Sequence, residues 1–179
     1  MSPSNPPKTG SAEPAQTTQH VGSAHKNRDA ARRFTWEIAS ISVHLEELRY
    51  FWAKALGVSG PQWMILMAVS ELDQGDGIPV NAVSKMLHVD SSFVTTQSKL
   101  LEKKGFMRRK PAPDDARVVR MSLTDKTYKQ LANLEAQQNA INDFIFEEFD
   151  EQSLAAFTDK LAALKSRIEK ACMKVTLGI

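Results

Sequence analysis

Two stretches of this chain carry an apolar residue at every third or fourth position through six consecutive steps. Phe34, Ile38, Ile41, Leu45, Leu48, Trp52 and Ala55 form the first, and Leu154, Phe157, Leu161, Leu164, Ile168, Ala171 and Val175 the second. Alternating steps of three and four put such residues on one side of an α-helix. Each stretch is therefore predicted to be a long helix with an apolar stripe, and Gly57 fits the stop of the first. A third long helix is predicted after Leu123. Thr124 suits its N-cap, Asp125 favours the positive end, and Leu131, Leu134, Ile141, Ile145 and Phe149 follow. Asp150 and Ser153 mark the break before the last helix. A chain of 179 residues suggests one domain or one with extensions. A lone chain of that size has no need of three long striped helices at its ends. The expectation is an intertwined homodimer, and the alternative is that the stripes pack on the chain's own core.

Shorter elements lie between the long helices. Residues 61–72 read as a helix with proline in its first turn, 73–77 as a turn-rich loop, and 79–87 as a second short helix. His88-Val89-Asp90 is a tight connection, and residues 91–104 form a third helix with Asp90 as N-cap, stopped at Gly105. Phe106–Arg109 and Val118–Leu123 then read as two strands around a Pro/Asp loop. Between Lys99 and Arg120 there are eight basic and three acidic residues, whereas the rest of the chain has fifteen basic and eighteen acidic. The positive charge is concentrated on the hairpin and the helix before it, where it attracts a polyanion. Helix, helix, turn, helix and a basic hairpin is the order of a winged helix-turn-helix. The fold class expected is mainly α with a small β-hairpin wing, flanked by N- and C-terminal dimerisation helices. Its parts are a disordered tail (1–28), a dimerisation helix (29–57), the winged lobe (58–124) and the C-terminal dimerisation helices (125–179).

Other features set bounds. The tail, rich in Ser, Pro, Thr, Asn and Gln, has only Met1 and Val21 as large apolar residues, too few to offset its ordering entropy. It has no apolar core region of the secretory kind, and no stretch of the chain approaches 18 apolar residues, so a cytoplasmic protein without a membrane span is expected. One cysteine, Cys172, cannot form an internal disulfide, and beside the last stripe it is expected to be buried and inert rather than an oxidation sensor. His20, His25, His44 and His88 lack metal-ligand spacing, and no glycine-rich phosphate loop is present. No metal, cofactor or enzymatic activity is expected.

Four motifs in order give the chain a family resemblance. They are Pro61-Gln62-Trp63-Met64-Ile65-Leu66; Val80-Asn81-Ala82-Val83-Ser84-Lys85-Met86-Leu87; Ser91-Ser92-Phe93-Val94-Thr95 with Leu100-Leu101-Glu102-Lys103-Lys104-Gly105-Phe106; and Asp115-Ala116-Arg117-Val118-Val119-Arg120-Met121-Ser122-Leu123-Thr124. Over roughly residues 30–175 the chain resembles the MarR family of bacterial dimeric transcription regulators. Its third helix departs from the family habit of a central arginine and carries Phe93 where a small or hydroxyl residue is common.

The resemblance implies a repressor that binds a near-palindromic double-stranded DNA operator as a homodimer and releases it when a small, often aromatic, acid binds. On the recognition helix, Ser91, Ser92, Thr95, Thr96 and Lys99 are the candidate DNA-facing residues, with Val94, Leu100 and Leu101 turned to the core. Phe93 either meets thymine methyls or packs inside. On the wing, Arg117 is the candidate for the minor groove, with Asp115 holding it or a neighbouring arginine. Arg108, Arg109 and Lys110 meet phosphates or brace the hairpin. Trp36, His44, Arg49, Tyr50 and Trp52 on the first long helix, with Trp63 and Met67 on the next, are the candidate effector residues. Arg49 is the carboxylate anchor among them. Redox-responsive or constitutive repression, and a winged helix that binds only protein, are the alternatives.

Overall fold

The computed structural model describes residues 17–178. Helix α1 covers Thr17–Leu56, α2 Gly60–Leu72, α3 Val80–Leu87, α4 Ser91–Lys103, α5 Asp125–Phe146 and α6 Glu151–Leu177; three short strands, β1 Ile78–Pro79, β2 Met107–Pro111 and β3 Val119–Leu123, complete it. Helix α1 begins twelve residues ahead of its predicted start at Asp29. The last proline before it is Pro14, so no missing N–H interrupts the helix there. The part of the predicted tail before Thr17 lies outside the described residues.

The chain divides into two units, one up to Trp63 and one from Met64. In the first, Gly57 ends α1 with a left-handed backbone (φ +73). Ser59 and Gln62 then start α2 with a reciprocal cap. The Gln62 side chain accepts from the Ser59 amide at 3.2 Å, and Ser59 Oγ accepts from the Gln62 amide at 3.4 Å.

The second unit has its core where α3, α4 and the sheet meet residues of α2. Ile65, Leu66, Val69, Val83, Val94, Leu101, Met107 and Met121 are fully buried there. On α4 the buried positions Val94, Ser98 and Leu101 follow steps of four and three. Leu100, expected in the core, is instead exposed, because it precedes Leu101 by roughly 100° around the helix. The expected caps form: Asp90 Oδ1 accepts from the Ser92 amide at 2.7 Å, Thr124 Oγ1 from the Thr127 amide at 3.3 Å, and Asp150 Oδ1 from the Ser153 amide at 2.7 Å.

The sheet has the antiparallel order β1-β3-β2. Strand β1 was not predicted, and Pro79 belongs to it rather than to α3. It is an edge strand, which tolerates proline. Ile78 pairs with Met121 and Pro79 with Arg120. Gly77 makes this approach possible. Its φ is +73, and a Cβ there would stand 3.2 Å from the Met121 carbonyl oxygen.

The long helices behave differently from the lobe. Helix α6 has no buried residue. Phe34, Ile41 and Leu45 of the α1 stripe, and Phe157, Ile168 and Val175 of the α6 stripe, are exposed. Packing on the chain's own core therefore does not account for these residues, whereas Trp52 of the α1 stripe is buried. Cys172, expected to be buried, is exposed, as are its stripe neighbours Ile168 and Val175 on α6, a helix without a buried residue. At the α5–α6 turn, Phe149 lies 6.4 Å from Phe146 and 5.9 Å from Phe157 between ring centroids.

Gly77→Ala is expected to lower stability by about 1–3 kcal/mol. Gly105→Ala, at a similar φ of +79 but with no atom near the added Cβ, is expected to cost less. Urea unfolding of both variants at one fixed protein concentration measures the difference.

Candidate nucleic-acid interface

The candidate site is built from α4 and the hairpin that follows it. Helix α3 ends at His88, whose left-handed conformation (φ 53) turns the chain toward α4. Asp90 caps α4, and hydrogen bonds from the Ser92 side chain and amide hold its carboxyl below the ordinary aspartate range. With Val94, Ser98 and Leu101 buried, Ser91, Ser92, Phe93, Thr96 and Lys99 are exposed and Thr95 is half-buried. Ser91, Ser92, Thr96 and Lys99 of the predicted outward set on α4 are thus at the surface, Thr95 only partly so, and Phe93 is at the surface as well. Thr96 Oγ1 donates to the Ser92 carbonyl at 2.9 Å.

The hairpin register pairs Met107 with Leu123, Arg108 with Ser122, Arg109 with Met121 and Lys110 with Arg120. Alternation along β2 puts Arg109 on the same face as buried Met107, and Arg108 and Lys110 on the other. The Arg109 side chain is accordingly only 11% exposed. Its amide donates to Glu102 Oε1 at 3.0 Å and its guanidinium stands 4.0 Å from Glu102 Oε2. Of the two roles open to Arg109, bracing the hairpin against the end of α4 is the one this geometry fits. Arg108 is exposed, 3.8 Å from Asp125, and Lys110 is exposed. Arg120, on the face of β3 opposite buried Met121, is half-buried and held by backbone. Its Nε donates to the Asp76 carbonyl at 2.9 Å and the Gly77 carbonyl at 3.1 Å, tying β3 to the loop before β1.

Arg117 differs from these two. Asp115 Oδ1 accepts from the Arg117 amide at 3.0 Å and from its Nε at 2.9 Å, while Oδ2 accepts from Nη2 at 3.0 Å. One carboxylate thus fixes both the backbone turn and the guanidinium plane, yet the Arg117 side chain remains 90% exposed. The pairing holds the Asp115 carboxyl below the ordinary range and raises the Arg117 guanidinium above its own. Between wing and helix lies a groove of about 390 Å³ lined by residues that include Asn81, Ser91, Thr95, Arg109, Arg117 and Val119. The geometry gathers Ser91, Thr95, Arg109 and Arg117 around one concave surface, with Asp115 behind Arg117. Arg108 and Lys99 do not line it.

Residues 58–119 match the model of the MarR family. They are a MarR-family domain. The HTH-type transcriptional regulator SarZ of Staphylococcus haemolyticus is 27% identical over 100 residues, which are 56% of this chain and 63% of SarZ; the chain thus spans less than two thirds of that relative. The uncharacterized HTH-type transcriptional regulator YdgJ of Bacillus subtilis is 23% identical over 141 residues, 74% of this chain and 86% of that protein. In fold, the chain is similar to a MarR protein from Peptoclostridium difficile, with a TM-score of 0.66 at 22% identity over 79% of this chain and 91% of that one. It is also similar to CouR from Rhodococcus jostii, crystallised with p-coumaroyl-CoA, with a TM-score of 0.64 at 17% identity over 73% of this chain and 90% of CouR. The MarR relatives are transcriptional regulators, not enzymes.

The structure does not gather the predicted effector residues of α1. Trp36 is 73% exposed, and His44 and Tyr50 are exposed; Trp52 and Trp63 are buried, and Met67 of α2 is half-buried. At roughly 100° per residue, Arg49 and Trp52 lie on the side of α1 away from Trp36, with His44 between the two sides. Arg49 is paired with Glu46 one turn earlier, and His44 lies 3.1 Å from Glu47. Among the described residues no group of acidic, histidine or cysteine side chains has a metal-site arrangement, and no helix is long and apolar enough to cross a membrane.

Because the folded-state carboxyl of Asp115 titrates below its unfolded value, the Asp115–Arg117 pairing is complete above the ordinary aspartate range and is lost as pH falls through the folded value. Arg117→Ala should raise the Asp115 midpoint toward the ordinary aspartate value. Carboxyl carbon shifts followed by NMR against pH give both midpoints.

Proposed function

We propose that this protein is a DNA-binding transcription regulator that acts as a homodimer, most simply a repressor occupying a near-palindromic operator. The observation that carries the reading is Arg117, locked in plane by Asp115 and yet 90% exposed, across one groove from the start of α4. An isolated surface arginine samples many rotamers. One held in place loses less entropy on entering a minor groove, and a narrow A·T-rich groove attracts it. The α4 N-terminal half offers Ser91, Ser92, Thr95 and Thr96 to the major groove, and Lys99 and Arg108 to phosphates. SarZ and YdgJ, both HTH-type transcriptional regulators by name, support the same reading.

The homodimer rests on the uncovered stripes of α1 and α6. Exposed members such as Phe34, Ile41, Leu45, Phe157, Ile168 and Val175 stay in water unless a second copy covers them, and two copies would set two recognition helices about one DNA turn apart. The effector reading is a small aromatic acid or its derivative. CouR, a structural relative, was crystallised with p-coumaroyl-CoA. Trp36, Tyr50 and Arg49 of α1 supply aromatic surface and a cation for such a ligand once a second copy completes the site. The ligand would act by favouring a dimer geometry that no longer spans both half-sites.

Arg117→Ala is expected to weaken duplex binding by about 1–3 kcal/mol. Titration of a duplex enriched by the wild-type protein, repeated across salt concentrations, gives this cost. Equal affinities of wild type and variant at every salt concentration would remove Arg117 from the interface. In the same assay the wild type should release the duplex on addition of one member of an aromatic-acid panel. Release by no member would leave redox-responsive or constitutive repression.

Ile168→Asp, at a position 53% exposed on the α6 stripe, is expected to turn a dimer into a monomer without unfolding the lobe. Sedimentation velocity reads the state. A variant that still sediments as a dimer would place the interface elsewhere.

A further inference from the structure

Helix α4 contains no arginine and no asparagine, so the side chains that most often fork onto guanine and adenine are missing from it. Gln97, its one amide, is half-buried. Two hydroxyls of the outward face are already engaged. Ser92 donates to its cap Asp90, and Thr96 Oγ1 donates to the Ser92 carbonyl at 2.9 Å. Engaged in this way, Thr96 turns its methyl group into the role its hydroxyl would otherwise play.

Phe93 adds to this. It lies in the first turn of α4, three residues before Thr96 and on the same flank, and 38% of its surface is exposed. The buried line Val94–Ser98–Leu101 runs along another side of the helix, so Phe93 is not a core residue. A phenylalanine left this exposed at the N-terminal end of a recognition helix costs solubility. Beside the Ser91 and Thr95 hydroxyls, the outward surface of this half of α4 therefore offers an aromatic ring, a methyl group and the charge of Lys99.

We propose that Phe93, with the Thr96 methyl, makes this helix a thymine reader. The ring and the methyl pack on the 5-methyl group that thymine presents in the major groove, and this apolar contact takes the place of an arginine fork. The inference rests on the DNA-binding reading and deepens it. It assigns to Phe93 the part of sequence choice that neither the wing nor the phosphate contacts supply.

The test uses a duplex enriched from a random pool by the full-length wild-type protein. Its thymines are replaced one at a time by deoxyuracil, which removes the major-groove methyl and leaves the pairing and minor-groove edges unchanged. Wild type is expected to lose about fourfold in affinity at one or more positions in each half-site, the effect of one buried methyl-sized group. Phe93→Ala should bind the parent duplex more weakly and be indifferent to the swap at those positions. Phe93→Gln, which keeps length and helix propensity, should behave alike, and circular dichroism of both variants checks the fold. Wild-type indifference at every thymine, or equal sensitivity in the wild type and both variants, would overturn the role of Phe93. A pool that yields no enriched duplex would overturn the DNA-binding reading itself.

Discussion

The carbonyl of Phe106 accepts from two donors, the Thr124 amide at 3.1 Å and Thr127 Oγ1 at 2.7 Å. Next to it the Gly105 carbonyl accepts from Thr124 Oγ1 at 2.9 Å, and the Phe106 amide donates back to Leu101 at 2.9 Å. This small network joins the end of α4, both feet of the hairpin and the start of α5. Thr127 is fully buried, so its hydroxyl has no water to fall back on, and the bond to Phe106 meets its need for a partner. Gly105 at φ +79 lets the chain leave α4 without strain at that joint. Together with the Arg109–Glu102 contacts further along the hairpin, these few residues set how the wing stands against α4. The groove between them, and the place of Arg117 across it, inherit their precision from it.

The basic excess of this region has two physical destinations. A strand alternates its side chains, so a run such as Arg108-Arg109-Lys110 cannot present all three charges to one side. Arg109 turns inward and meets Glu102; Arg120, on the central strand, meets backbone carbonyls of residues 76 and 77. Both act as braces. Arg108, Lys110 and Arg117 keep their charge at the surface. Net charge counted along the sequence therefore overstates the charge offered to a polyanion. The wing is stiffened by the same residue type that makes it attractive to DNA.

Much of this was legible beforehand because it is local. A stripe at steps of three and four, a cap residue before it and a glycine after it act over one or two helical turns. The caps at Asp90, Thr124 and Asp150 follow from such signals. The outward set on α4 follows from the same periodicity, and the inward turn of Arg109 was available from strand alternation with Met107 as the buried reference. Leu100 was misplaced because an apolar residue beside the core line looks like part of it. Strand β1 left no signal, since two residues ending in proline have no period and the strand exists only through its pairing with β3. Arg120 bonds to carbonyls more than forty positions earlier, a relation created by the fold. The effector set gathered residues by type, and aromatic character does not say which side of a helix a residue takes.

On the DNA-binding reading, the two halves of the interface work by different physics. The wing offers a charge whose attraction falls as salt rises, pre-oriented by a carboxylate that also limits its net charge. The front of α4 offers apolar contact and hydroxyls, uncharged groups that salt affects little. Salt would then weaken overall binding while leaving the discrimination between sequences nearly intact. A regulator so built holds non-specific DNA by its charges and distinguishes its site by methyl groups. If two copies pair through the apolar stripes of α1 and α6, as proposed, the stripes would set how far apart two such readers stand, and anything that shifts them would change site choice without touching a DNA contact.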